Sequence, residues 1–174
     1  KCAIMKIDVQ SHQKQWIMQF ENEKQKILSI LGDEVIEIHH IGSTSVPGLK
    51  AKPIIDILPV VQDINKIDHF NEAMANIGYK ALGENGITGR RFFKKGENPR
   101  THHVHAFQQE NHYEINRHLA VRDYLRTNVA VAHAYGELKV ALAHQFPYDI
   151  EGYCDGKDAF VKRLESQALE WYLK

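Results

Sequence analysis

Residues 39–61 read HHIGSTSVPGLKAKPIIDILPVV, and the fold turns on how this run is divided. The segment VIEIHHIG, closing at Gly42, is rich in β-branched residues and predicts a strand. GSTSVPGLKAK, with two glycines and a proline, predicts a turn, and PIIDILPVV predicts a second, buried strand. Asp56, between Ile55 and Ile57, is the anomaly. An unpaired carboxylate in a buried strand costs several kcal/mol, so this one requires a cation, a protonated partner or an exposed strand end. A Gly-Ser pair at a strand end offers free backbone N–H groups, a hydroxyl and room for a phosphate to approach the main chain. Gly42, Ser43 and Thr44 are therefore candidate phosphate-binding residues, with Lys50 and Lys52 a short reach away. The plainer alternative is a loop in which Ser43 or Thr44 only caps a turn.

Working outward, Trp16, Phe20, Ile27 and Leu31 recur at helical spacing and predict an opening amphipathic helix, capped by Ser11 and stopped by Gly32. Ile67, Phe70, Met74 and Ile77 place an apolar stripe on a second helix that ends before Gly78. The stretch from Tyr79 to Glu110 reads as a meander of short strands, with RRFF and HHVHAF as its pleated segments. Three helical segments follow: YEINRHLAVRDYLRT, VAVAHAYGELKVALAHQF ending at Phe146-Pro147, and KDAFVKRLESQALEWYLK with Asp155 as its cap. The expected architecture is α+β: one domain over 1–174, a small mixed sheet flanked by helices in a core of about 33–110, and a helical C-terminal extension of about 111–174.

Hydrophobic content of 43% and charged content of 25% fit a soluble globular protein. Lysine plus arginine and aspartate plus glutamate both number 22, so no global field attracts nucleic acid or an anionic membrane, and any anion site must be local. No apolar run reaches transmembrane length, and KCAIMKIDVQ is too polar for a signal peptide, which makes a cytoplasmic protein the expectation. Cys2 and Cys154 are far apart in sequence and form no CxxC pair, so both are expected to be reduced thiols.

Five blocks in order, HIGSTSVPGLKAKPIIDI, GRRFFKKG, THHVHAF, HLAVRDYLR and YCDGKDAFV, resemble the GrpB family, a branch of the nucleotidyltransferase superfamily. The spacing from IGS to Asp56, with 12 residues between, is similar to the superfamily signature. The resemblance implies a minimal nucleotidyltransferase fold extended by C-terminal helices. It also implies a turn that grips a nucleoside triphosphate or other small phosphorylated ligand, while carboxylates on two strands hold divalent ions for attack on the α-phosphate. Asp56 is then the expected catalytic residue.

In the superfamily pattern a second acid follows two residues after the first, because strand alternation puts i and i+2 on one face. Here that position is Leu58. His103 and His105 also alternate onto one face, and with Asp56 they would form a 2-His-1-carboxylate metal set. Magnesium or manganese is the expected ion, with zinc a further candidate because imidazole favours the transition metals. The alternative for an HxH in a chain of 11 histidines is two polar residues facing solvent. Alternation also puts Arg90 and Arg91 on opposite faces, so one of them is expected to reach the cleft and steady phosphate charge. Arg122 is expected to reach the same region from a helix, without facing its neighbour Asp123. The readings that follow are a metal-dependent nucleotidyltransferase, a ligand-binding or regulatory module that has lost transfer chemistry with its second acid, or a metal-dependent hydrolase.

Overall fold

The computed structural model describes residues 5–174 of the chain, so Cys2 lies outside the described residues. The sheet is built from β1 (Val35–Ile41), β2 (Ile55–Val61), β3 (Tyr79–Ala81), β4 (Arg90–Lys95) and β5 (His102–Gln108), in the spatial order β1-β2-β5-β4-β3. It is mixed: β2 and β5 run parallel, and every other neighbouring pair is antiparallel. The α+β expectation holds. No helix of the described residues is long and apolar enough to cross a membrane.

The register fixes what each face carries. Asp56 pairs with His103 across the parallel ladder, and His103 pairs with Lys94 on the far side. Facing residues in a ladder point the same way, so Asp56, Leu58, His103, His105, Arg90 and Phe92 share one face. Ile55, Ile57, Val61, Val104, Ala106 and Phe93 share the other, and there they pack on Trp16, Phe20, Ile27 and Leu31 of α1 (Gln15–Leu31). The predicted stripe of α1 is therefore the stripe that is buried. Its cap differs from expectation: the helix begins after Lys14, not at Ser11, with no side-chain cap, while Gly32 ends it with φ +55°.

Glu23 lies in the same buried stripe, and its carboxylate accepts from the Tyr79 hydroxyl at 2.9 Å and from the Lys95 ammonium, fastening α1 to β3 and β4. The second predicted helix is split into a 3-10 segment over Ile64–Phe70, capped by Asp63, and a short α2 (Asn71–Asn76).

The opposite face is covered by α3 (His112–Thr127), which packs Ile115 and Leu119 on Leu58, Val60, Phe107 and Ile41. Two further helices, α4 (Val129–Gln145) and α5 (Ile150–Tyr172), close over the end of the sheet. The last begins earlier than expected. Asp149 caps it by accepting from the Gly152 N–H at 3.0 Å, and Asp155 is an exposed residue within the helix. Cys154 is a free, exposed cysteine.

Between β1 and β2 the chain folds into a 3-10 turn over Ser43–Ser45. Gly42 enters it at φ 73° and ψ −176°, a region open essentially to glycine alone. A Cβ at Gly42 would stand 2.6 Å from Asp56 Oδ2, so the turn and the carboxylate are in direct contact. Behind the turn the His40 ring stacks on Phe20 at 4.7 Å and donates from Nε2 to the Thr44 hydroxyl at 3.0 Å. That hydroxyl donates in turn to the Ile54 carbonyl at 3.1 Å. Burial drives His40 down to about 4, so it is neutral at neutral pH, as its role of one-proton donor requires.

Two outcomes are expected. Gly42→Ala combines backbone strain with a clash on Asp56 and lowers urea-unfolding stability by about 1–3 kcal/mol or more. For His40, the unfolded ring titrates near its ordinary value of 6.5 while the folded ring stays neutral down to about 4. In that window the unfolded state binds more protons, so acidification from pH 6.5 to 4 removes stability, at up to about 1.4 kcal/mol per pH unit. Stability against pH measured for His40→Gln should lose this part of the acid slope.

Candidate functional site

The turn, β2 and β5 bring together most of the residues singled out from sequence. Asp56 Oδ1 lies 2.9 Å from His105 Nε2 and 3.4 Å from His103 Nδ1. Ligand atoms of the three side chains all fall within 4.8 Å of one another, the one such group of three among the described residues. Parallel pairing explains the convergence: it sets Asp56 directly beside His103, and the two-residue period carries His105 onto the same face. Burial works to raise the Asp56 carboxyl, but hydrogen bonds from His103 and His105 outweigh it and hold the group well below the usual carboxylate range. The side chain keeps 24% of its surface exposed, so it remains reachable from the adjoining cavity.

The donor set of one oxygen and two imidazole nitrogens fits a divalent transition metal. Two observations bear on the fit. His103 Nε2 is buried without a hydrogen-bond partner, while its Nδ1 faces the carboxylate. Arg90 Nη1 lies 3.4 Å from His105 Nδ1, and a guanidinium only donates, so in this arrangement His105 carries its proton on Nε2 and gives it to Asp56. Coordination through that nitrogen needs the other tautomer. Beyond the triad, the His118 ring of α3 lies tilted beside His105, centres 5.5 Å apart, and burial pushes it down to about 3, leaving it neutral and unable to compete as a cation.

The two arginines part as alternation requires. Arg90 is on the site face, buried, its guanidinium held by the Glu84 and Asn85 carbonyls and lying 4.7 Å over the Phe92 ring. Its donors are largely spent on the protein. Arg91 is on the opposite face, in a bidentate pair with Asp68 at 2.7 and 3.3 Å, so it does not come to the site at all. Arg122 departs from expectation too: its Nε folds back onto the adjacent Asp123 at 2.8 Å, because a long side chain can curl to the next residue where a short one cannot. Its Nη1 donates to the His40 carbonyl at 3.3 Å, and Arg126 donates twice to the Ser45 carbonyl at 2.9 and 3.0 Å. These α3 guanidiniums pin the turn from behind. Thr44 is likewise a brace, its hydroxyl engaged by His40 and Ile54. Lys50 turns outward to Glu137 at 2.9 Å.

Ser43, Lys52 and Asp56 do line a common cavity of 180 Å³, together with His103 and three residues the sequence reading left aside or gave little weight: Lys139 of α4, and Tyr153 and Lys157 of α5. Lys139 is buried at 3% exposure and donates to the Ser43 hydroxyl at 2.7 Å, with its ammonium 4.3 Å from the Tyr135 ring centre. A sequence signal for it existed: it stands in phase with Tyr135 and Leu142, a lysine in the apolar stripe of α4. Lys52 and Lys157 each place an ammonium 5.3 Å from the centre of the Tyr153 ring. None of the three lysines has a carboxylate within salt-bridge distance among the described residues. Ring contacts of this kind are worth about 0.5–2 kcal/mol, which leaves most of the cost of a buried ammonium unmet. Burial accordingly lowers Lys52 and takes Lys139 down to about 7.

Comparison with known proteins follows the same lines. The family model described as GrpB protein matches residues 6–167. The chain is 46% identical to the UPF0157 protein YqkA of Bacillus subtilis over 95% of its own length, and spans about half (48%) of that relative. It is 35% identical to the glutamate-rich protein GrpB of Alkalihalophilus pseudofirmus, over 88% of this chain and 91% of the relative. Among solved structures it superposes on the conserved protein GrpB from Enterococcus faecalis with a TM-score of 0.93 at 48% identity, covering 96% of this chain and all of that one. The Cid1 poly(U) polymerase is similar in fold alone, with a TM-score of 0.53 at 14% identity over 77% of this chain and 42% of that one. The sheet with its helical extension is thus a nucleotidyltransferase-like fold, and the chain belongs to the GrpB family.

Proposed function

We propose that the protein binds a nucleotide or a related phosphorylated ligand against the Gly42–Ser43 turn, with a divalent ion at Asp56, His103 and His105, and that its chemistry is transfer of a nucleotidyl group. The observation that carries this reading is the convergence of the carboxylate and both imidazoles directly beside Gly42. The fold supports it: Cid1, similar in fold, is a poly(U) polymerase seen with magnesium and 3′-dATP bound. An ion held by the three side chains would polarise a phosphoryl oxygen and neutralise charge developing on it. The chain's own residues supply the rest. Gly42 leaves room for the Asp56 carboxylate against the turn, Ser43 and Lys52 offer donors to the ligand's oxygens, and Asp56, ionised throughout the physiological range, keeps the two imidazoles oriented.

A second reading, a ligand-binding module without transfer chemistry, draws on one observation. Leu58 stands two residues after Asp56, where the family resemblance expects the second acid, and is fully buried among Ile41, Phe107, Ile115 and Leu119, an apolar cluster that would penalise a carboxylate.

Two experiments bear on these readings. Metal-stripped protein titrated calorimetrically with manganese, zinc or magnesium, alone and with a panel of nucleoside triphosphates, should bind a transition metal, and Asp56→Asn should weaken that binding at least about tenfold while leaving the fold intact. Unchanged metal binding in Asp56→Asn would sink the metal assignment, and triphosphate binding without turnover of any acceptor would favour the second reading. Leu58→Asp should not create a better enzyme. It places a charge in an apolar cluster and should lower unfolding stability by about 3 kcal/mol or more, as read from denaturant melts.

A further inference from the structure

The cavity enclosed where α4 and α5 close over the turn is more than a wall of the metal site. Three lysines line one small space, and the single acid that lines it, Asp56, is already engaged by His103 and His105. A fold that buries lysines without carboxylate partners raises their cost and lowers their basicity, and Lys139 and Lys52 both show that effect. The same space is lined by Tyr153, a residue with no exposed surface whose hydroxyl is buried with no hydrogen-bond partner. Lysines without acid partners and an unused hydroxyl around one cavity are complementary to an anion with several oxygens.

The size narrows the anion. At 180 Å³ the cavity falls below the range of about 300–1,000 Å³ usual for sites that enclose a drug-sized ligand, so it suits a compact charged group and not a whole nucleotide. A second cavity of 630 Å³ adjoins it across Lys52, Ile54 and His103, and its walls include Met5, Ile7, Tyr148 and Ile150. That neighbour has the volume and the apolar surface for the remainder of a larger molecule.

We propose that Lys52, Lys139, Lys157 and the Tyr153 hydroxyl form a polyphosphate subsite that holds two or more linked phosphates, with Ser43 joining through its contact to Lys139. This deepens the functional reading above, since it assigns the non-reacting phosphates of the ligand to the C-terminal helices. It stands on residues that take no part in the metal set other than by adjacency, so the two can fail separately.

The test uses inorganic pyrophosphate and tripolyphosphate, with no metal and with ionic strength matched by potassium chloride. Both should raise the melting temperature of the wild-type chain by mass action, and inorganic phosphate should do so more weakly. Affinity for pyrophosphate, measured by calorimetry, should fall about 10- to 100-fold in Lys139→Gln and in the more accessible Lys157→Gln, while manganese binding in the absence of anion is retained. Lys139→Gln removes a buried charge, so it should melt no lower than wild type, and Lys157→Gln serves if it does not fold. No shift with either polyphosphate, an equal shift in both variants, or a response to phosphate equal to that to pyrophosphate overturns the proposal. A nucleoside triphosphate compared with tripolyphosphate identifies the source: a larger shift assigns the subsite to a nucleotide, and an equal one to inorganic polyphosphate, the subsite being supported in both cases.

Discussion

The parallel pairing of β2 with β5 is the constraint on which the site depends. Parallel neighbours cannot be joined by a tight turn, so the chain leaves the sheet after β2 through the 3-10 segment and α2, re-enters it at the far edge as β3 and β4, and then places β5 between β4 and β2. The return sets Asp56 beside His103 in register. A slip of one residue would send His103 and His105 to the α1 face and leave Asp56 with no partner in an apolar layer. The apolar residues that alternate with them, Ile55, Ile57, Val104 and Ala106, lock that register by packing on α1. Core packing on one face therefore aims the chemistry on the other.

The second organising feature is how heavily the Gly-Ser turn is supported. His40 and Thr44 brace it from the strand side, while Arg126 of α3 holds the Ser45 carbonyl and Arg122 the His40 carbonyl of the strand leading into it. Lys139 of α4 fixes the Ser43 hydroxyl. Most polar side chains near the turn thus hold the turn itself, and the groups left free to meet a ligand are few: Ser43, Lys52, Lys139, Lys157, Tyr153 and the carboxylate–imidazole set. Rigid support of this kind is what a site needs to hold a phosphate in one pose.

Much of this was legible along the chain. The strand-turn-strand division, the buried stripe of α1 and the placing of His103 and His105 on one face follow from local periodicity, because period 2 and period 3.6 are properties of neighbouring residues, whereas their meeting with Asp56 was expected from the family resemblance and rests on the pairing of β2 with β5. Helix starts were less legible. Ser11 and Asp155 have the right chemistry for caps, but Asp149 is the residue whose carboxylate meets a free N–H, and several polar residues in a row compete for that role. The arginines show the same limit. Alternation separates Arg90 from Arg91, yet only the position of Asp68 and of the Glu84 and Asn85 carbonyls decides where each guanidinium goes.

By itself the sequence determined the strand carrying Asp56, the turn before it, the absence of a second acid at Leu58 and the family to which the chain belongs. Tertiary structure alone decided that Leu58 is sealed in an apolar cluster, that Thr44 and Arg122 support the turn, and that Lys139, Tyr153 and Lys157 complete a cationic cavity. The reason is distance along the chain. Lys139 stands 96 residues from the Ser43 hydroxyl it contacts, and no local pattern encodes a meeting that depends on how α4 and α5 fold back over the end of the sheet.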